Sequence, residues 1–212
     1  MPSSKTIGRL SLYRRLLGHM AEQGLRDVFS HQLAASAGVT SAQVRRDLMH
    51  VGGMGNSARG YSIGRLYDAI GHFLAGSQRQ SVALVGVGNL GRAILAFFFG
   101  RHPQLAITVT FDKDPDKIGR VILGHRCYDM DQLESVLAED QINVAILAVP
   151  ADNAQQATEA LVRAGVRGIL NFTPIPLRTP ADVYVEDVDM TTSLEKVVFF
   201  ANQSSAVRET VR

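Results

Sequence analysis

Apolar positions near the start of the chain recur at helical spacing: Leu10, Leu12, Tyr13, Leu16, Leu17 and Met20, with Arg9, Arg14 and Arg15 between them. The pattern predicts an amphipathic helix that Gly24 ends. Ser30 is placed to cap a second helix from His31 to Ala37, and Gly38 then supplies a tight turn. Thr40-Ser41-Ala42-Gln43 reads as a capping box, in which the Thr40 hydroxyl and the Gln43 side chain satisfy free N–H groups. A third helix from Ser41 to His50 carries Arg45 and Arg46. Small Ala34, Gly38 four residues on and a capped helix after it have the spacing of a helix-turn-helix. The glycine-rich stretch from Val51 to Ile63 reads as a β-hairpin wing bearing Arg59 and Tyr61, and helical periodicity resumes from Ile63 to Leu74.

Past the polar link Ser77-Gln78-Arg79-Gln80 the period changes. Val82 to Val85 is a short buried-type strand that runs into Gly86-Val87-Gly88-Asn89-Leu90-Gly91, and Arg92 to Phe99 continues as a helix. Glycines at that spacing between a strand and a helix are the dinucleotide-binding arrangement. Gly86 makes the turn, Gly88 lets the pyrophosphate approach the backbone, and Gly91 allows close helix–strand packing. Further strands are expected at Ala106 to Phe111, Val144 to Val149 and Gly168 to Phe172, with a helix from about Asn153 to Ala164. That alternation implies a parallel sheet. Strand C-terminal ends line the crevice of such a sheet, so Val149, Pro150, Asn171 and Phe172 are candidate dinucleotide contacts. Asp112 closes its strand 21 residues past Gly91, where a carboxylate accepts ribose hydroxyls and disfavours a 2′-phosphate, which points to NAD rather than NADP. Lys113 and Lys117 are placed to touch ribose or phosphate, or to be solvated. At the end of the chain Thr192-x-x-Glu195 reads as a second capping box, opening an apolar helix from Ser193 to about Arg208 with Leu194, Val197, Val198 and Phe199. That helix packs on its own sheet or crosses to a second subunit.

The expected fold is α/β: a winged helix-turn-helix domain over 1–78, a Rossmann-type parallel-sheet domain over 79–190, and a C-terminal dimerisation helix over 191–212. Charge supports the division. Met1 to Gln80 holds ten basic against four acidic residues, whereas Ser81 to Arg212 holds twelve against sixteen. A basic head suits double-stranded DNA. Lys5, Arg9, Arg14 and Arg59 are candidate phosphate contacts, Arg45 and Arg46 candidate base readers, and Ser41, Gln43 and Tyr61 further candidate DNA contacts. One cysteine, Cys127, allows no internal disulfide, and the first eight residues carry no signal-peptide core, so a cytoplasmic, non-membrane protein is expected. The six histidines lie outside any recognisable acid/base setting, and no metal cluster or nucleophile elbow is visible, so neither a catalytic nor a metal site is expected.

Taken in order, Arg9-Leu10-Ser11-Leu12-Tyr13, Val44-Arg45-Arg46-Asp47-Leu48, Gly60-Tyr61, the Gly86-to-Gly91 loop, Phe111-Asp112-Lys113-Asp114-Pro115, Ala148-Val149-Pro150-Ala151, Asn171-Phe172 and Val188-Asp189 make the chain resemble the Rex family of redox-sensing repressors along essentially its whole length. The resemblance implies a homodimer with exchanged C-terminal helices, a palindromic operator with TTGTG-like half-sites, and release from DNA when NADH binds. It also implies a switching network falling on Arg9 and Asp189. Two places depart from the family pattern: Ser57-Ala58 stands where members carry Arg and Gly, and Phe97 where many carry Tyr. An apolar pocket disfavours the unpaired nicotinamide cation of NAD+, so Phe97, Phe98 and Phe99 near the nicotinamide end would favour NADH, while at least two of the three are expected to pack the helix on its sheet. The rival reading is an enzyme, a small NAD-dependent oxidoreductase or a CoA-binding subunit.

Overall fold

Leu10, Tyr13 and Leu17 line one face of helix α1, Ser4–Glu22, and are fully buried. The structure, a computed structural model, describes residues 2–52, 60–76, 79–100 and 105–209, with side chains to residue 203. It divides into two compact units, Met1–Arg79 and Gln80–Arg212.

In the first unit, α1 packs with α2, Ser30–Ala37, α3, Ser41–Leu48, and α4, Ile63–Ala75. Their shared core is Leu10, Tyr13, Leu17, Val28, Leu33, Val44, Leu48, Ile63, Leu66 and Ile70. Gly38 ends α2 at φ 66°, the left-handed conformation glycine adopts without penalty, so α3 can turn away sharply. Some local expectations are corrected. Ser30 is the first residue of α2 rather than its cap; Phe29 holds the cap position, and its N–H donates to the Gln32 side chain (2.8 Å). Thr40 does cap α3, accepting from the Gln43 N–H at 3.1 Å, but the Gln43 side chain goes to Asp47 instead of closing a box. α3 ends at Leu48, and a 3-10 turn covers Met49–Val51.

Of the expected wing, residues 51–52 and 60–63 are among those described. There strand β2, Tyr61–Ser62, pairs antiparallel with β1, Asp27–Val28, a partner lying between α1 and α2. Glycine lets the two strands meet there: at Gly60, φ 74°, an added Cβ would sit 2.8 Å from the Val28 carbonyl oxygen. Arg59, Ser57 and Ala58 lie outside the described residues.

In the second unit, seven strands among the described residues form one sheet in the order β5-β6-β4-β3-β7-β8-β9. These are β3 Gln80–Val85, β4 Leu105–Asp112, β5 Val121–Ile122, β6 His125–Asp129, β7 Val144–Leu147, β8 Gly168–Asn171 and β9 Tyr184–Asp187. All pairings are parallel except β5 with β6. From β6 to β9 this is the doubly wound dinucleotide-binding order, with the direction of winding reversing between β3 and β7. Helix α5, Asn89–Phe98, covers one face through Ile94 and Leu95. Helices α6, Leu133–Glu139, and α7, Ala151–Arg163, cover the other through Leu133, Leu137, Ala154 and Leu161.

Helix α8, Met190–Glu209, starts before the expected Thr192 box. Its cap is Asp189, whose carboxylate accepts from the Thr192 N–H (2.8 Å) and the Thr192 hydroxyl (2.5 Å). Leu194, Val197, Val198, Phe199 and Phe200 are all at least half exposed. The expectation for the phenylalanine run is corrected as well. Only Phe98 packs on the sheet, while Phe97 and Phe99 are exposed, because one face of α5 is occupied by Ile94, Leu95 and Phe98.

Candidate dinucleotide cleft and DNA-reading face

The turn after β3 fixes the cleft. Gly86 has φ 94°, and an added Cβ would sit 2.4 Å from the Ala148 carbonyl oxygen on the neighbouring strand end. At Gly91 a Cβ would sit 2.0 Å from the Gly86 carbonyl oxygen, so α5 reaches the strand only through a bare backbone. At Gly88 nothing lies within 4 Å of an added Cβ, and the residue is exposed. Two glycines are therefore demanded by the protein's own packing, and the third keeps a face of backbone open. Next to that face the first turn of α5 begins at Asn89. Its N–H groups lack intrahelical acceptors and favour an anion.

A cleft of about 1010 Å³ opens there, between the ends of β3, β4 and β7. That exceeds most small-ligand pockets and has room for a dinucleotide. Of the expected residues, Gly86, Gly88, Asp112, Lys113, Val149 and Pro150 line it. Met130, Leu133, Ala157 and Ala160 supply apolar wall, and Asp114, Lys117, Asp131, Glu134, Asn153 and Arg163 supply polar groups.

The carboxylate of Asp112 is nearly saturated. Oδ2 accepts from the Val87 N–H (2.8 Å) and Lys117 Nζ (3.0 Å), and Oδ1 accepts from the Asp114 N–H (3.0 Å). Burial alone would raise its pKa, but these donors outweigh burial and hold it below the usual carboxylate range. Lys113 donates to the Asn153 side-chain oxygen at 3.0 Å. Cys127, on β6 beside β4, is fully buried in the cluster under α5, and burial pushes its thiol pKa up.

Several expected contacts stand elsewhere. The Val87 side chain is fully buried and its N–H is committed to Asp112. Leu90 and Phe172 pack on the α5 side of the sheet. Asn171 is 1 % exposed and turned toward β9; its amide donates to Asp187 (2.7 Å) and the Ile175 carbonyl (3.0 Å), and its oxygen accepts from the Thr173 N–H and hydroxyl. Its side chain thereby shapes the loop after β8. Phe97 is not among the lining residues; it lies eight residues past Asn89, about 12 Å along the helix.

On the first unit, Lys5, Arg45 and Arg46 are exposed, and Ser41 opens α3 half-buried. Arg45 donates to the Ser30 hydroxyl at 3.2 Å. Four other expected DNA contacts are engaged within the fold. Arg9 grips Asp47 with two parallel bonds, Nε to Oδ2 at 2.7 Å and Nη2 to Oδ1 at 2.8 Å. The Tyr13 hydroxyl donates to Asp47 Oδ2 (2.9 Å) and Gln43 Nε2 to Oδ1 (2.8 Å). Asp47 is 2 % exposed and takes four donors, its full acceptor complement. Burial raises its pKa, yet the bonds from Arg9, Gln43 and Tyr13 hold it below the ordinary range. Burial, then Asp47, pushes Tyr13 up to about 12. The Arg14 guanidinium lies 4.6 Å from the Tyr67 ring centroid and against Gly71. Tyr61 is half-buried on the core.

The switching pair is likewise engaged locally, Arg9 with Asp47 and Asp189 with Thr192. Asp47 was missed, although the sequence held a sign of it. It shares the buried face of α3 with Val44 and Leu48, and an acid there requires a buried donor.

Among the described residues, no group of three His, Cys, Asp or Glu is placed to hold a metal, and no helix is long and apolar enough to cross a membrane.

Comparison with known proteins adds the following. Residues 77–175 match the family described as "CoA binding domain", and residues 3–48 match "Putative DNA-binding protein N-terminus". The redox-sensing transcriptional repressor Rex of Lactobacillus acidophilus is 42 % identical over 195 residues, 92 % of each chain. That of Listeria monocytogenes is 37 % identical over 204 residues, 96 % of this chain and 95 % of the other. A crystal structure of RSP with beta-NAD+ and operator DNA is similar at TM-score 0.88 and 32 % identity, covering 99 % of this chain and 97 % of the other. RSP with beta-NADH is similar at TM-score 0.85 and 30 % identity, covering 99 % of both chains.

Proposed function

The chain belongs to the Rex family of redox-sensing transcriptional repressors, and from that premise we propose that it binds a double-stranded operator as a homodimer, reads NADH against NAD+ in the glycine-loop cleft, and leaves DNA when NADH binds. One observation carries the reading: a single chain joins a cleft with an open glycine backbone to a capped helix exposing two arginines. Gly88 and Asn89 receive the pyrophosphate with their N–H groups. Asp112 meets the adenosine ribose, and Val149 and Pro150 line the crevice beyond β7. Arg45 and Arg46 reach base edges from α3, with Ser41 beside them, and Lys5 reaches a phosphate.

The dinucleotide supplies a binding signal, not chemistry. NADH lacks the nicotinamide charge of NAD+, and a site that closes over the ring penalises an unpaired cation. A second copy supplies that closure. Among the described residues, Leu194, Val197, Val198 and Phe199 of α8 and Phe97 of α5 are at least half exposed, and we assign residues 191–212 to exchange between subunits. The domains 1–78 and 79–190 are then the reader and the sensor, in a cytoplasmic regulator that performs no catalysis of its own.

Calorimetric titration of NADH and of NAD+ into the free protein tests the sensor. One site per chain with NADH the tighter ligand is expected; no binding of either would overturn it. Steady turnover of NADH with carbonyl substrates would instead restore the enzyme reading.

A further inference from the structure

Asp112 is the residue expected to exclude a 2′-phosphate, yet its charge is not presented to the cleft alone. Lys117 lies 3.0 Å from Asp112 Oδ2 and 3.3 Å from Asp114 Oδ2, and its side chain is about three-quarters buried. Lys117, Asp112, Asp114 and Lys113 all line the cleft, so within this group two carboxylates are balanced by two ammonium groups. A carboxylate has about four acceptor positions. Three of these are taken by the Val87 N–H, the Asp114 N–H and Lys117. One remains, which serves a single ribose hydroxyl and not both.

Resting on the reading of the cleft as a dinucleotide site, we propose that Lys117 is a specificity-determining residue: by neutralising Asp112 it weakens the rejection of a 2′-phosphate, so that discrimination between NADH and NADPH is set by the Lys117–Asp112 pair rather than by the aspartate alone. Two consequences follow from charge. With the Lys117 ammonium removed, Asp112 and Asp114 face a 2′-phosphate with Lys113 alone of this group to offset them, and repulsion in a partly buried site is strong. A ribose hydroxyl carries no charge and gains back the acceptor position that Lys117 held, so NADH loses little. The buried stem of Lys117 is apolar, which makes methionine the fitting replacement.

The test is titration of NADH and NADPH into the full-length protein and into Lys117→Met and Lys117→Arg, each checked for an unchanged thermal transition. In Lys117→Met the preference for NADH over NADPH should widen by about tenfold, the order expected when one neutralising charge is removed from a partly screened site, with NADH affinity within about threefold of the parent. Lys117→Arg keeps the charge and should keep the parental ratio. A ratio unchanged in Lys117→Met, or equal losses for both dinucleotides, would overturn the proposal, because a residue that merely holds Asp112 in place moves both affinities together. If the parent protein binds neither dinucleotide, the cleft reading itself fails and this inference with it; binding with an unmoved ratio removes only the inference.

Discussion

Asp47 shows how a single buried acid organises the head. It receives two bonds from Arg9, one from Tyr13 and one from Gln43, tying α1 to α3. Asp47→Ala leaves a guanidinium and a buried hydroxyl without their acceptor. It should cost about 2–4 kcal/mol in urea unfolding followed at the N-terminal unit. The sign of the pH dependence follows from the two shifts. Asp47 is depressed, so its contribution is full above the ordinary carboxylate value near 3.9 and is lost as pH falls through its lower folded value. Tyr13 is raised to about 12, so its contribution is full below about 10 and is lost as pH climbs toward 12. Tyr13→Phe should abolish the alkaline loss and leave the acid one; unfolding midpoints across pH check both. The glycine loop gives a second residue-level contrast. Gly91→Ala forces a Cβ onto the Gly86 carbonyl and should lower the melting temperature sharply. Gly88→Val meets open space and should melt like the parent, while losing at least about tenfold in NADH affinity because it covers backbone the pyrophosphate needs.

Helix α3 presents Arg45 and Arg46 to solvent, whereas Arg14, equally basic in sequence, lies on Tyr67. Arg46→Ala should relax preference at one operator position by about 1–3 kcal/mol. Lys5→Ala should flatten the salt dependence of binding by about one unit of slope. Arg14→Ala should leave that slope alone and lower stability through lost packing. Binding isotherms at several salt concentrations distinguish the three. The same helices show what the sequence could and could not reveal. Leu10, Tyr13 and Leu17 announce α1 because burial follows a 3.6-residue period. Gly86 to Gly91 announces the cleft because steric demand at two points leaves no other residue possible. By contrast β6 carries His125, Arg126 and Asp129, and no apolar run marks it, although Cys127 is fully buried between neighbouring strands. β1 and β2 are two residues each, too short for any period. Which arginine is solvated and which is committed to the fold depends on Asp47 and Tyr67, residues 38 and 53 positions away from Arg9 and Arg14 in the chain. Spacing within one helix does not carry that information.

At the scale of the molecule, Leu194, Val197, Val198 and Phe199 of α8 are all at least half exposed, and in the proposed function a second copy covers them. If that dimer forms as proposed, replacing Phe199 and Phe200 together by Asp should give a monomer in sedimentation, with weakened hold on a two-half-site operator. In the proposed function, one protein couples nucleotide redox state to DNA affinity. Fluorescence anisotropy on a palindromic TTGTG-type duplex at one stated salt concentration, titrated separately with NADH and NAD+, measures that coupling directly. The expected result is tight binding, release by NADH at far lower concentration than NAD+, and an affinity change of roughly 5–150-fold. Tight binding indifferent to both dinucleotides would contradict it.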